Sequence, residues 1–187
     1  FSVNYSGNDK NFKASRYQPT GDAEFIKLMV EKFGLLHEEI MIDTPELVDA
    51  LYDAVEAREM PGMADVDSSL LLFCRAVKKH CNIALSGECS DEIFGGYPWY
   101  SDEKLRSQRG FPWSQSTEFR ASFIKPGMLG TIDPYEFMNK KYDRAISEAD
   151  ITGAEGEHDE KMRKLTQINL DHFMQTLLDR NYRMSSN

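Results

Sequence analysis

A short apolar run that leads directly into an acidic, glycine-containing turn constrains the fold more than any other feature of the sequence. Residues 81–85 (CNIAL) follow a segment with helical spacing, and such a run predicts a strand buried in an α/β sheet. Residues 86–97 (SGECSDEIFGGY) then predict a turn that enters a helix. Because α/β folds bind their ligands at the carboxyl ends of strands, we expect a ligand site at this turn.

The order of the remaining elements favours a parallel sheet covered by helices. Strands alternating with helices are typical of right-handed crossovers in such a sheet. The predicted fold class is therefore α/β, with a doubly wound parallel sheet over residues 1–97 and a mainly helical portion over residues 98–187. The sequence predicts strands at residues 1–5, 36–42 and 83–85, and helices at residues 22–33, 43–59 and 67–77.

Local signals mark where several of the predicted helices begin and end. Gly34 is placed to end the first long helix, Asp43 to cap the next one, and residues 67–69 (DSS) to cap the one after that. Residues 98–134 are punctuated by Gly and Pro, which predicts short or irregular helical structure. Residues 160–183 return to a long helical spacing.

Composition argues against several classes of function. The formal net charge is −9 and no basic block is present, which argues against a nucleic-acid partner, because phosphate binding needs clustered Lys and Arg. No apolar run approaches the roughly 20 residues of a membrane span, and the chain does not open with a basic signal region. We therefore expect no membrane partner and a cytoplasmic location. The three cysteines form no Cys-x-x-Cys pair and indicate reduced thiols.

Aromatic residues are concentrated in and after the turn. They could form a base-stacking surface, but no basic residues are interleaved with them. We interpret them as core and lobe contacts: Phe94, Tyr97, Trp99, Tyr100, Phe111 and Trp113.

The three acids of the turn have two interpretations on physical grounds. Glu88, Asp91 and Glu92 suit a helix N-terminus, where capping and the helix dipole favour negative charge. Alternatively, three acids beside a glycine turn would repel the phosphates of a nucleotide unless Mg²⁺ lay between them. The second interpretation makes the turn a metal–nucleotide site.

Residues 86–97 resemble the second signature of the synthase domain of asparagine synthetases, LSGEGSDELFGGY, and a looser resemblance covers most of the 187 residues. The resemblance implies an ATP-pyrophosphatase fold of the adenine nucleotide alpha hydrolase type. It also implies a ligase that uses aspartate and Mg-ATP as substrates to make β-aspartyl-adenylate. Ammonia from glutamine then converts this intermediate to asparagine and AMP.

The resemblance assigns roles to individual residues. Ser86 and Gly87 would hold the AMP moiety, and the backbone of Val3 would contact adenine. Glu88 would be the catalytic residue, helping to form the adenylate and taking a proton from ammonia. Asp91 would bind Mg²⁺ at the leaving pyrophosphate, and Glu92 is the weaker candidate for the same ion.

The chain also departs from the family pattern. The pyrophosphate loop Ser-Gly-Gly-x-Asp-Ser is absent; in the family it lies on the strand just before the one that begins at Phe1. Residues 67–69 resemble only its tail. Cys89 replaces a glycine, and this position would need a permissive backbone. Tyr182 stands where many relatives have Asp.

These departures lead us to expect a fragment. The glutaminase domain that would supply ammonia is missing, and so is the downstream part of the synthase domain. The chain alone should therefore be inactive, and the resemblance allows a homodimer of the full-length parent.

Two rival functions stay open. A related adenylating enzyme could act on another carboxylate, as β-lactam synthetases and lasso-peptide cyclases do. A non-catalytic domain that binds Mg²⁺ or a partner could have kept only the fold.

Overall fold

Two short strands pair in parallel near the start of the chain. β1 (Ser2–Tyr5) lies beside β2 (Glu39–Ile42), and Val3 is opposite Ile40 in the register. A parallel pair needs a crossover connection, which contains α1 (Asn8–Asn11) and α2 (Ala23–Phe33). The structure is a computed structural model that describes residues 1–15, 18–150, 153 and 156–187.

The chain divides into two units. The first comprises Phe1–Ser86 and Leu178–Asn187, and the second comprises Gly87–Leu177. After β2, the first unit contains α3 (Thr44–Asp49), α4 (Leu51–Arg58) and α5 (Ala64–Lys78). The predicted division at residue 97 concerns the domains of the family and stays a prediction.

The second unit is helical. Short helices fill its first half, as the Gly and Pro punctuation predicted, and longer ones follow. They are α6 (Ser90–Phe94), α7 (Pro98–Ser101), α8 (Glu103–Arg106), a 3-10 turn (Pro112–Ser114), α9 (Thr117–Ala121), α10 (Pro126–Leu129), α11 (Pro134–Glu148), α12 (Glu157–Ile168), a π-helical stretch (Asn169–Met174) and α13 (Gln175–Ser185), whose end belongs to the first unit.

Two of the predicted helix ends are confirmed. Gly34 follows α2 with φ of 59°, a left-handed conformation that glycine adopts without steric cost, and its N–H donates to the carbonyl of Val30. Asp43 caps α3 through a reciprocal pair with Glu46. The Asp43 side chain accepts from the Glu46 N–H at 2.9 Å, and the Glu46 carboxylate accepts from the Asp43 N–H at 2.9 Å.

The third predicted strand is wrong. Residues 83–85 have no strand conformation, and Ile83 and Leu85 are 87% and 101% exposed. A strand exists only when its N–H and C=O groups pair with a neighbour, and among the described residues the only paired strands are β1 and β2. The apolar run is thus present without the pairing that would make it a strand. A parallel sheet is shown, whereas a doubly wound one is not.

A buried ion pair lies beside the small apolar core of the first unit. The predicted cap at residues 67–69 is wrong, because α5 begins at Ala64 and these three residues are buried within the helix. Asp67 instead accepts from Arg58 Nη1 at 2.9 Å and from the Met63 N–H at 3.1 Å. A Cβ on Gly62 would lie 2.0 Å from Asp67 Oδ2, so the backbone passes directly over this carboxylate. The core beside it contains Ala54, Leu71 and Met184.

The core of the second unit is mainly aromatic. Tyr100 and Phe111 are buried with Leu165 and Ile168. The Tyr100 hydroxyl accepts a hydrogen bond of 2.9 Å from the side-chain amide of Asn169, which is fully buried at the start of the π-helical stretch. No helix in the described part of the chain is long and apolar enough to cross a membrane.

We expect Asp67→Ala to lower the free energy of unfolding by about 3–5 kcal/mol, because it leaves the Arg58 charge buried without its partner. Asp53→Ala is the matched control, because Asp53 pairs with Arg75 at 2.7 Å but both side chains are about half exposed. That control should cost at most about 1 kcal/mol. Urea unfolding of both variants measures the two losses in free energy of unfolding. Equal losses would show that the buried pair contributes no more to stability than the exposed pair.

Candidate functional site

The turn that opens the candidate site is closed by one serine. Ser90 donates to the carbonyl of Gly87 twice, from its hydroxyl at 2.6 Å and from its N–H at 3.1 Å. Cys89, between them, is buried and has φ of 70°. This is the left-handed region that favours glycine. The family resemblance predicted that a permissive backbone would be needed at Cys89, and the φ angle confirms it.

Two glycines follow α6, and the second of them lies against the carboxylate of Asp91. Gly95 has φ of 72°, and the N–H groups of Gly95 and Gly96 both donate to the carbonyl of Asp91, at 2.9 and 3.0 Å. A Cβ on Gly96 would lie 1.9 Å from Asp91 Oδ1. The Asp91 carboxylate therefore packs against bare backbone, and any side chain at Gly96 would displace it.

The three acids of the turn lie in different environments. Asp91 is exposed and Glu88 is partly buried. Glu92 is 1% exposed, and its Oε1 accepts a hydrogen bond of 2.5 Å from the Tyr97 hydroxyl. A buried carboxylate needs such a partner, because removing it from water without one is costly.

The pKa of Tyr97 is affected by all three acids of the turn. Burial raises the pKa of Tyr97 well above its ordinary value, and the hydrogen bond to Glu92 and the charge of Glu92 raise it further. The charges of Asp91 and Glu88 contribute in the same direction. The neutral phenol is thus the form in which Tyr97 can donate to Glu92.

Aromatic packing holds Tyr97 in place. Its ring stacks on Trp99 with centroids 4.4 Å apart, and the edge of Phe173, from the π-helical stretch, meets it at 5.5 Å. The prediction of core contacts is confirmed for the aromatic residues from Tyr97 to Trp113. Phe94 is 85% exposed and is therefore not part of this core.

Sequence reasoning missed two residues that organise the site. Gly96 and Tyr97 belong to the quoted motif, but Gly96 received no role and Tyr97 only that of a core contact. The signal was available, because the motif ends in Gly-Gly-Tyr directly after the acids. The sequence could not show that Gly96 lies against the Asp91 carboxylate, or that the Tyr97 hydroxyl donates a hydrogen bond to Glu92.

The arrangement around Asp91 suits a metal ion held mostly by other oxygens. Among the residues described, no group of three or more His, Cys, Asp or Glu side chains could hold a metal. Magnesium, however, is commonly bound through one or two carboxylates together with water and substrate phosphates. The exposed carboxylate of Asp91 fits that donor set. Glu92 fits it less well, since its carboxylate is buried and bonded to Tyr97.

The residues predicted to contact the nucleotide belong to both units of the chain. Val3 is partly buried in β1, and Ser86 is exposed at the end of the first unit. Gly87 is also exposed, and only the Ser90 hydroxyl, at 3.8 Å, lies near the position of a Cβ on it. Val3 and Ser86 thus belong to the first unit and Gly87 to the second, and the roles of all the predicted site residues stay predictions.

Comparison with known proteins identifies similar sequences along the whole chain. A family model described as asparagine synthase matches residues 1–187. Asparagine synthetase [glutamine-hydrolyzing] 3 of Bacillus subtilis is 44% identical over 185 residues, which is 99% of this chain and 30% of that protein. A putative asparagine synthetase [glutamine-hydrolyzing] of Mycobacterium tuberculosis is 33% identical over 72 residues, 38% of this chain and 11% of that protein. The chain thus spans less than a third of the length of these curated relatives.

Removing the Tyr97 hydroxyl should destabilise the chain. We expect Tyr97→Phe to lower the free energy of unfolding by about 2 kcal/mol or more, because Glu92 stays buried without a donor. Tyr135→Phe is the control, since Tyr135 is half exposed, and we expect a change within about 0.5 kcal/mol. Urea unfolding at neutral pH compares the two, and equal effects would contradict the importance of the bond.

The same bond predicts a dependence on pH. Because the pKa of Tyr97 is raised in the folded state, the unfolded chain loses this proton first as pH rises through about 10. The contribution to stability is therefore complete below that pH and declines above it. The decline should be smaller in Tyr97→Phe than in the wild type, measured by urea unfolding between pH 9 and pH 11. Identical profiles would show that Tyr97 titrates as an ordinary tyrosine.

The positive φ at Cys89 predicts that glycine is favoured over alanine at this position, which is the reverse of their order within a helix. We expect Cys89→Gly to be more stable than Cys89→Ala by about 1 kcal/mol, because both lose the thiol but only alanine keeps a Cβ at positive φ. Cys74 lies within α5 and is the control. There the order should reverse, with glycine less stable than alanine by about 1 kcal/mol. Thermal or urea unfolding of the four variants tests this, and the same order at both positions would contradict it.

Proposed function

The chain belongs to the asparagine synthase family, and we propose that it is the part of a glutamine-hydrolysing asparagine synthetase that activates aspartate. In this proposal Mg-ATP converts aspartate to β-aspartyl-adenylate, and ammonia released from glutamine converts the adenylate to asparagine and AMP. The ammonia comes from a glutaminase domain outside this chain. The chain alone is inactive, because the pyrophosphate loop of the family is not in its sequence.

One observation supports the proposal more than any other. The turn at residues 86–97 keeps Glu92 inside, bonded to Tyr97, while Asp91 is exposed and Glu88 only partly buried. A turn that only capped a helix would have no need to bury one of its acids against a phenol. A site that handles a phosphorylated intermediate needs carboxylates held at fixed positions.

Glu88 is the catalytic residue in this proposal. Its carboxylate is partly buried within the turn, and its charge contributes to the raised pKa of Tyr97. There it accepts a proton from ammonia as nitrogen attacks the carbonyl of the adenylate. Ser86 and Gly87 bind the AMP group, where the missing Cβ of Gly87 permits a close approach of ligand to backbone. The backbone of Val3 contacts adenine.

Asp91 is the proposed magnesium ligand. Its carboxylate is exposed and held against Gly96, so it is oriented before any ligand arrives. When bound, Mg²⁺ supplies a Lewis acid that stabilises the charge on the departing pyrophosphate. Glu92 is the weaker candidate, since it would first have to leave Tyr97. Glu92 instead has a structural role, because its hydrogen bond with Tyr97 holds the turn in place.

The test of Glu88 uses the full-length enzyme. We expect Glu88→Gln to lower the rate of asparagine synthesis at least about a hundredfold, because the amide cannot accept a proton. Glutamine hydrolysis should be unchanged. Glu118→Gln is the control, because Glu118 is an exposed acid of α9 outside the turn, and it should leave synthesis intact. Equal synthesis rates in Glu88→Gln and wild type would rule out the role of Glu88.

Exchange of labelled pyrophosphate into ATP separates the rival functions. Exchange that requires both aspartate and Mg²⁺ supports the proposed adenylation. Exchange with another carboxylate but not with aspartate would move the enzyme to a β-lactam synthetase-like or lasso-peptide cyclase-like activity. No exchange with any acid would leave a non-catalytic binding domain.

A further inference from the structure

The helix that follows α12 changes its hydrogen-bonding pattern where it meets the turn at residues 86–97. The π-helical stretch Asn169–Met174 lies between α12 and α13, and it contacts α6. A π-helix bonds each residue to the fifth one along instead of the fourth; it is rare and occurs frequently at functional sites. α6 is the helix that contains Asp91 and Glu92. The stretch is therefore a candidate for positioning these two acids.

Asn169, the first residue of this stretch, is a polar side chain within the aromatic core. It is fully buried, and its side-chain amide donates to the Tyr100 hydroxyl at 2.9 Å. Its Oδ1 has no hydrogen-bond partner among the described residues. A buried polar atom without a partner costs free energy that an apolar side chain of similar size would avoid. The bond to Tyr100 is thus the interaction that accounts for an asparagine at this position.

Tyr100 connects this bond to the end of α6. Its ring covers Gly95, because a Cβ on Gly95 would lie only 3.3 Å from both Cγ and Cδ1 of the ring. Arg106 holds the backbone of Tyr100 by donating to its carbonyl at 2.6 Å. The Tyr100 ring is therefore fixed over Gly95 from its hydroxyl and from its backbone.

Gly95 in turn contacts the backbone of Asp91. The N–H groups of Gly95 and Gly96 both donate to the Asp91 carbonyl, and Gly96 lies against the Asp91 carboxylate. A displacement of Gly95 would therefore disturb the backbone of Asp91 and also the surface on which its side chain packs. The hydrogen bond of Asn169 is in this way connected to Asp91 through two further residues.

A second contact of the π-helical stretch leads to the other acid of α6. The edge of Phe173 meets the Tyr97 ring at 5.5 Å, and Tyr97 donates to Glu92. Phe173 also stacks on Trp113, with ring centroids 5.0 Å apart. One helical element thus supports Asp91 and Glu92 through two different tyrosines.

We propose that Asn169 is a positioning residue for Asp91, acting through Tyr100 and Gly95. The inference rests on the proposed function, in which Asp91 binds Mg²⁺. Asn169 does not contact the ion; its hydrogen bond keeps Tyr100 over Gly95, so that the Asp91 carboxylate is oriented before Mg²⁺ and the substrate phosphates bind. Replacing a residue that orients a metal ligand typically lowers metal affinity or activity by about 10–100-fold.

Hydrogen exchange in the full-length enzyme tests the positioning without any activity. We expect Asn169→Leu to speed exchange of a peptide covering residues 91–97 by about tenfold, because the donors to the Asp91 carbonyl lose their support. A peptide from α11 reports any general loosening of the second unit and should change less.

Ile168→Val is the matched control for hydrogen exchange, because Ile168 is the adjacent residue of the same core, is equally well buried and has no polar side-chain atom. It should leave exchange of residues 91–97 unchanged relative to α11. Equal acceleration by Asn169→Leu and Ile168→Val, or none by Asn169→Leu, would overturn the proposal.

The magnesium dependence of pyrophosphate exchange into ATP tests the consequence for the site. We expect Asn169→Leu to raise the Mg²⁺ concentration for half-maximal exchange about tenfold, and to change the rate at saturating Mg²⁺ less. Tyr100→Phe removes the other partner of the same bond and should give the same increase. Because both variants remove one interaction, the double variant should give no further increase. Ile168→Val should leave the magnesium dependence unchanged.

The outcomes separate this inference from the proposed function. An unchanged magnesium dependence in Asn169→Leu and Tyr100→Phe, or effects that add in the double variant, would overturn the role of Asn169. If Asn169→Leu does not fold, Tyr100→Phe alone decides both measurements. If the wild type shows no exchange of pyrophosphate, the proposed function fails, and hydrogen exchange alone decides whether Asn169 positions Asp91.

Discussion

The candidate site depends on one buried hydrogen bond, from the Tyr97 hydroxyl to Glu92. It determines which acid of the turn is used for structure, whereas Asp91 stays exposed and Glu88 partly buried. Without a donor, Glu92 could not stay buried at 1% exposure, and α6, a helix of five residues, is too short to hold its own position. The aromatic rings of Trp99 and Phe173 hold the donor, so the site is supported by the core of the second unit.

Each unit contains a buried carboxylate that accepts a hydrogen bond from a specific side chain. In the first unit the partner of Asp67 is Arg58, and in the second the partner of Glu92 is a neutral phenol. The difference matters for function. An ion pair would neutralise its carboxylate, whereas Tyr97 leaves the negative charge of Glu92 beside Asp91 and Glu88. The turn therefore keeps a strong negative field, which suits the attraction of a divalent cation.

Local chemistry explains which parts of the fold could be predicted. Gly34 and Asp43 mark helix ends through their own backbone and side chain, so neighbouring residues sufficed. The strand at residues 83–85 could not be settled in this way, since a strand needs a pairing partner that a run of apolar residues does not specify. The helix cap predicted at residues 67–69 (DSS) was wrong for a related reason. Its polar residues suit a cap, but Arg58 makes a buried position inside α5 available to Asp67.

For this protein, the sequence by itself determined the family resemblance, the acidic turn and the need for a permissive backbone at Cys89, because these depend on residues close together along the chain. Only the tertiary structure decided that Asp91 packs on Gly96, that Glu92 is buried with the Tyr97 hydroxyl as its partner, and that Trp99 and Phe173 pack against the Tyr97 ring. The physical reason is burial: a carboxylate has the same formula in every environment, but its role follows from the groups that replace water around it.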